Sequence, residues 1–451
     1  MIARRVFVTG LGAVSAFGRG VHAFWNGCLS GESIVAATPA AWRQYYRATS
    51  QVWSPLPVFD YKSFGFTRAD VLTNSTAVLM AMTAADEALE HANAPVFATL
   101  AIDPAGATPL SRYRAAVFIG TGLGGAQAPF ENYRAHLLAG LKPRLDALRE
   151  ELPDDEYLRE HTTALQAHPR VNPLVICQTM PNSISASLGI RYKFHGPNDT
   201  TCHACASGTV AIGHAYKAIR NGEIDFAIAG GVEHLNDRAG GAFMGFDRLQ
   251  TLAKPRGDLG TENRPFDKSR SGFLFSEGGA AILILESESF ANNRGAIPLA
   301  EVVGFGHTSD GYSVAAISEM DNSIRAMLDQ TIADAAIDRH QIGYVNGHGT
   351  STELNDPIEA RLLDQYFKHA PKVNSTKSIL GHTIGASGAF EAIVCTKSLQ
   401  SQRVHVSRNL DEPIVDLNFC TASEPYQFEY ALSQSFGFGG HNAGLIFRKI
   451  D

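Results

Sequence analysis

Charge is scarce in this sequence of 451 residues. Asp, Glu, Lys and Arg make up 18% of it, against roughly 25% in ordinary globular chains. More of the chain than usual is therefore expected to be buried, in a core or in a subunit interface. The 38 basic residues are outnumbered by 45 acidic ones, which argues against a nucleic-acid binder working by bulk charge. Six cysteines (Cys28, Cys177, Cys202, Cys205, Cys395 and Cys420) are too few and too scattered for a disulfide scaffold, and suit a reducing compartment. Long apolar runs are missing too: the longest aliphatic one, 280–285, falls far short of the roughly 20 residues that span a bilayer. Arg4 and Arg5 before Val6-Phe7-Val8 resemble the start of a signal peptide, but Thr9, Gly10 and Gly12 interrupt the apolar stretch. A strand followed by a turn is expected there, and the cytoplasm is the expected location. A hydrophobic content of 45% excludes disorder.

The length allows two or three domains or one large α/β body. Short apolar runs recur at 6–8, 116–119, 224–229, 281–285 and 343–345, continuous rather than alternating, which predicts strands buried on both faces. Helical patterns at 74–91, 207–220, 321–336 and 388–399 lie between them, so a layered α/β fold is expected. The 42 glycines fit many tight turns and close backbone contacts. No linker divides the chain. The best seam falls at 289–298, separating 1–290 from 291–451, and no repeat is visible between the halves. Residues 142–170, with a charge-rich stretch at 144–160, read as an insertion: a pair of solvated surface helices, or a lid.

Several motifs carry little. Gly10-Leu11-Gly12 lacks the third glycine of a dinucleotide fingerprint, because Ser15 stands there. Cys202-His203-Ala204-Cys205 is formally a redox or half-zinc motif, but no second ligand pair follows, and no metal is expected. Cys205 itself is informative. It precedes the helix-forming run 209–216, so it sits at or beside a helix N-terminus, where unpaired N–H groups favour a thiolate. A buried cysteine packing as a small hydrophobe is equally compatible with this segment alone. Two histidines in glycine-flanked loops, His348 in Asn346-Gly347-His348-Gly349-Thr350-Ser351-Thr352 and His382 in Leu380-Gly381-His382, tip the balance towards catalysis. Phe436-Gly437-Phe438-Gly439-Gly440 adds a loop whose N–H groups can face a ligand oxygen, or else a tight turn with two buried rings.

Together with Arg5–Gly12, Arg264-Pro265-Phe266-Asp267, Lys377, Gly385-Ala386 and Glu391, these motifs resemble the β-ketoacyl-[acyl-carrier-protein] synthases, elongating condensing enzymes of the thiolase superfamily. The resemblance spans almost the whole chain in the family's order. It implies a thiolase-like five-layered α-β-α-β-α fold of two similar halves, 1–290 carrying the nucleophile and 291–451 carrying both histidine loops. It implies that Cys205 is a low-pKa nucleophile that accepts the acyl group, with the N–H groups of Cys205 and Phe438 as oxyanion hole. His348 and His382 would hold the enolate formed when malonyl loses CO2, and Lys377 and Glu391 would set the protonation of that pair. Thr350 and Thr352 would bind the phosphopantetheine arm, Leu123 would line the acyl pocket, and Phe436 and Phe438 would lie at the substrate, Phe438 as a gate.

No cofactor is implied, because phosphopantetheine arrives on the carrier protein. The implied partners are acyl- and malonyl-loaded acyl carrier protein and a second subunit, as homodimer or as heterodimer with a chain-length factor. The pathway would be fatty-acid, polyketide or polyene biosynthesis. A catalytically silent partner subunit is the competing reading, although such subunits normally lack the cysteine; a thiolase would use a second cysteine. His203 and His441 depart from the family, which has a small or hydroxyl residue and Thr there, and are expected to pack or shape the pocket. Arg170, Lys62, Arg68 and Arg256 are candidates for docking the acidic carrier protein, or ordinary solvated cations.

Overall fold

The computed structural model describes residues 3–43, 46–94, 111–156, 158–159, 171–237, 239–318, 320 and 322–450. Ten strands carry the architecture. Five belong to the first half: β1 (Val6–Ser15), β2 (Ala115–Gly120), β3 (Asn198–Thr201), β4 (Phe226–His234) and β5 (Gly278–Ser287). Five belong to the second: β6 (Ala300–Ser309), β7 (Ile342–Asn346), β8 (Lys372–Asn374), β9 (Tyr430–Gly437) and β10 (His441–Arg448). Their spatial orders are β1-β5-β4-β2-β3 and β6-β10-β9-β7-β8. Each half thus runs first, fifth, fourth, second, third. The directions repeat as well: the two outer pairings are parallel, the two inner ones antiparallel. The halves share a fold without sharing a sequence. They join along β1 and β6, where Val6 pairs antiparallel with Val302, Phe7 with Glu301 and Val8 with Ala300.

Helices sandwich and separate the two sheets. α1 (Thr76–His91) covers the outer face of the first, and α2 (Gln127–Glu151) follows β2. α3 (Ser207–Arg220) and α6 (Ser387–Ser401) lie between the sheets, while α4 (Asn322–Ala335) and α5 (Asn355–Tyr366) cover the outer face of the second. The layers run α-β-α-β-α. Side-chain parity shows why the strand sequences are continuously apolar. Ala116 and Phe118 of β2 face the central helices, while Ala115, Val117 and Ile119 face the outer layer. On β5, Ala281, Leu283 and Leu285 point inward, and Ala280, Ile282 and Ile284 outward. Both faces are buried, so both sets must be apolar.

Two expectations are corrected. The chain does not turn at Gly10 and Gly12: β1 continues through both to Ser15. Those glycines sit where α1 crosses the strand, and a Cβ there would lie 2.0 Å from the Ala88 carbonyl oxygen and 1.8 Å from that of Ala84. Gly304 and Gly306 repeat the device on β6, against α4. The charge-rich segment, in turn, does not begin with a helix of its own, and helical residues resume at 156 and 158–159. Its first part is the exposed end of α2, a 25-residue helix that begins at Gln127 and contains Pro143. Residues 160–170, Arg170 among them, lie outside the described residues.

The glycine crossing yields a test. Gly12→Ala places a methyl group inside a backbone oxygen and should destabilise the protein by roughly 3 kcal/mol, as overpacked cores do. An unchanged urea midpoint would contradict the packing of α1 on β1.

Candidate active site

The two central helices begin alike. Ala206-Ser207-Gly208 opens α3 and Ala386-Ser387-Gly388 opens α6, each after a 3₁₀ turn, Ala204–Ala206 and Ile384–Ala386. The first residue of each turn has a positive φ, 48° at Ala204 and 49° at Ile384. Gly208 and Gly388 let the helix starts touch: a Cβ on Gly388 would lie 2.0 Å from Thr209 Oγ1. This convergence delivers Cys205 and His382 to one point, with His382 Nε2 3.0 Å from Cys205 Sγ. Ser207 fixes the nucleophile turn, its Oγ accepting from the His203 N–H (2.8 Å) and donating to the Ala204 carbonyl (2.6 Å).

Each histidine has its own support. His382 Nδ1 lies 3.0 Å from Ser387 Oγ, and its backbone N–H donates to the Leu274 carbonyl at 2.8 Å. The His348 ring stands nearly perpendicular to that of His382, with centroids 5.6 Å apart, and packs on Phe436. Its Nδ1 is 3.2 Å from Lys377 Nζ, which is 2.5 Å from Glu391 Oε1. Lys377 and Glu391 are both buried. The loop after His348 hangs on two carboxylates of α5: Glu359 accepts the N–H groups of His348 and Gly349, and Asp356 those of Thr350 and Ser351.

Burial governs the electrostatics. It pushes the Cys205 thiol up to about 12, against the pull of the Lys377 ammonium and a hydrogen bond from the Phe438 N–H. The low-pKa thiolate expected from the helix N-terminus is therefore not the resting form; desolvation outweighs the dipole. Burial also holds His348 and His382 well below the usual imidazole range, aided by the nearby Lys377 charge. Both rings are neutral at pH 7. Lys377 has only protons to give, so His348 Nδ1 accepts from it and the ring proton sits on Nε2. Burial lifts Glu391 to about 7 while the Lys377 ammonium pulls it back.

These groups open into a cavity of about 520 Å³ lined by Cys205, His348, His382, Thr350, Thr352, Phe436 and Phe438. Thr350 Oγ1 and Thr352 Oγ1 are 2.8 Å apart. Leu123 does not line it and is 42% exposed on the single chain. Cys202 is exposed and unpaired with the buried Cys205. A thiol, two neutral imidazoles and N–H donors around one cavity can carry acyl transfer through sulfur and stabilise oxyanions.

Comparison with known proteins agrees. Residues 3–290 match the N-terminal domain of β-ketoacyl synthases and residues 299–411 the C-terminal domain. The chain belongs to the β-ketoacyl synthase family. It is 32% identical to 3-oxoacyl-[acyl-carrier-protein] synthase 2 of Vibrio cholerae, covering 100% of both chains. It is 31% identical to the protein of the same name from Coxiella burnetii, over 99% of each. A β-ketoacyl synthase from Burkholderia phymatum superposes with a TM-score of 0.81 at 28% identity, covering 99% of this chain and 100% of that one. A type II polyketide ketosynthase solved with its acyl carrier protein gives 0.82 at 25% identity, with full coverage of both chains.

The sequence reading of this β-ketoacyl synthase missed several supports: Ser207, Ser387, Asp356, Glu359 and Glu233. Glu233, fully buried, accepts the N–H groups of Gly122 (2.6 Å), Leu123 (3.1 Å) and Gly385 (3.0 Å), tying the loop after β2 to the turn before α6. A signal existed for the serines in the repeated Ala-Ser-Gly; an acid at the end of an apolar strand was the only hint for Glu233. Burial raises Glu233 to about 7 against those N–H donors. A carboxyl raised on folding contributes stability that is complete below its unfolded value and is lost as pH rises through the folded one. Glu233→Gln should therefore remove part of the decline in stability between about pH 4.5 and 7. Parallel stability–pH curves for the two proteins would contradict this account of Glu233.

Proposed function

We propose that this β-ketoacyl synthase accepts an acyl group from acyl carrier protein on Cys205 and condenses it with malonyl carried on the same protein, releasing CO2. The observation that carries the reading is the 3.0 Å approach of His382 Nε2 to Cys205 Sγ, with the Phe438 N–H on the same sulfur. A neutral S–H···N pair passes the thiol proton to the departing carrier thiol as the new C–S bond forms and the old one breaks. The Ser387 hydroxyl supports this exchange because it donates to or accepts from Nδ1 as the tautomer requires. The N–H groups of Cys205 and Phe438 serve the tetrahedral oxyanion.

In the second step the malonyl carboxylate leaves as CO2, and the enolate oxygen receives hydrogen bonds from His348 Nε2–H and His382 Nε2–H. The carbanion attacks the acyl carbonyl, the C–S bond to Cys205 breaks, and one proton from solvent restores the thiol. Lys377 and Glu391 fix the His348 donor. Thr350 and Thr352 offer hydroxyls to the phosphopantetheine arm, and no resident cofactor takes part.

The active-subunit reading is favoured over a silent partner because Cys205 is placed against its histidine. A structural neighbour is described as a ketosynthase/chain length factor, so the second subunit is either an identical chain or such a partner. Among the described residues β3 ends its sheet with one edge unpaired beyond it, and the exposed Ile176 and Met180 fit burial by that subunit. Leu123 belongs to the loop whose Gly124 and Gly125 pack on residues 178–181, so it would reach an acyl pocket completed across that interface. Lys62, Arg68 and Arg256 are exposed, and Lys254 lines the cavity, giving cations for an acidic carrier protein. No helix among the described residues is long and apolar enough to cross a membrane, and the cysteines are free, which supports a cytoplasmic site in fatty-acid or polyketide synthesis.

Intact-protein mass spectrometry with acyl-loaded carrier protein checks the first step: an acyl mass gain is expected in the wild type and none in Cys205→Ala. His348→Ala should still gain the acyl mass but release CO2 from malonyl carrier protein roughly 10²–10³-fold more slowly, the cost of one lost oxyanion donor. Mass gain in Cys205→Ala, or undiminished CO2 release in His348→Ala, would overturn the assignment.

A further inference from the structure

Three histidines meet outside the catalytic cavity. Across β6 and β10, His441 pairs with Ser309 and Ala443 with His307, so His441 and His307 are diagonal neighbours on one face. That face is the central one, where Ala443 and Phe305 pack with α3. His203 reaches the pair from the turn that carries the nucleophile. Its ring is inclined at 81° to both others, with centroids 5.1 Å from His307 and 4.7 Å from His441. One nitrogen from each ring lies within 4.8 Å of the other two.

Two ring nitrogens in the cluster, His203 Nδ1 and His307 Nε2, are buried with no hydrogen-bond partner among the described residues. Buried polar atoms are rarely left so. Nothing in the catalytic arrangement uses them, and none of the three histidines lines the cavity. Imidazole nitrogens with a free lone pair are metal-binding groups.

We propose that His203, His307 and His441 form a three-imidazole site for a divalent transition metal ion of the zinc class, with a fourth position open to water. Three imidazoles suit zinc and its neighbours rather than magnesium or calcium. Zn–N bonds of roughly 2.0–2.1 Å put tetrahedral ligand nitrogens about 3.3 Å apart, so separations within 4.8 Å must close by at most about 1.5 Å. Side-chain rotation supplies that range. The site would clamp two catalytic parts together. His203 leads into the turn of Cys205, and His441 follows the loop of Phe438, where Gly437 already presses on the His203 carbonyl: a Cβ there would lie 2.4 Å from it. The histidines at 203 and 441, both departures from the family's usual residues, thereby share one purpose.

The test uses the full chain, stripped with a chelator and desalted, then titrated with Co2+ and Zn2+. One equivalent of Co2+ should bind with the intense visible bands of tetrahedral cobalt, Zn2+ should displace it, and zinc should raise the melting temperature. His203→Ser and His441→Thr, which restore the family's residue types and so should fold, should each weaken binding at least about tenfold. His22→Ala, an exposed histidine elsewhere, should not. Absence of tetrahedral bands, or binding that survives in the His203→Ser/His441→Thr protein, would overturn the site. Acyl loading of Cys205 is not involved, so either result leaves the condensing reaction to its own test.

Discussion

One buried ammonium organises the chemistry. Lys377 lies between Glu391 and His348, with almost no exposure to water. A lone buried charge is not tolerated, and removing either partner of such a pair costs about 3–5 kcal/mol. Lys377 is therefore held to Glu391, and what remains of its donor capacity goes to His348 Nδ1. This forces the His348 proton onto Nε2, towards the cavity. A positive charge this close also keeps both imidazoles neutral. The site presents hydrogen-bond donors that carry no charge of their own, suited to an enolate that forms only as CO2 leaves.

The fold supplies the convergence that this arrangement needs. Two copies of one topology meet with their third-strand helices side by side, and the approach of α3 to α6 brings their N-terminal turns together. One turn has come to carry Cys205; the loop leading into its counterpart carries His382. Glu233 then ties the loop after β2 to the second turn, and Asp356 and Glu359 suspend the His348 loop from α5. The carboxylates hold backbone rather than substrate. The nucleophile is in turn kept as a thiol by its burial, which raises it to about 12.

Much of this was legible in the chain. Continuously apolar runs announced strands buried on both faces, and glycine-flanked histidines with a small-residue cysteine turn announced the site. The limits were physical. A three-residue repeat at 206–208 and 386–388 is too short to stand out, yet it marks equivalent helix starts. Gly10 and Gly12 looked like a chain turn because sequence does not show that a helix crosses the strand there. The helix N-terminus suggested an acidic thiol at Cys205, but desolvation depends on everything packed around it, which local sequence does not reveal. Glu233 and Glu359 act through partners many residues away or through backbone N–H groups, and neither leaves a pattern.

The central claim is that Lys377 holds His348 neutral with its proton on Nε2. ¹⁵N NMR of the imidazoles in the resting enzyme at pH 7 reads this directly. The account predicts a neutral His348 in the Nε2–H form. An imidazolium, or a proton on Nδ1, would contradict it.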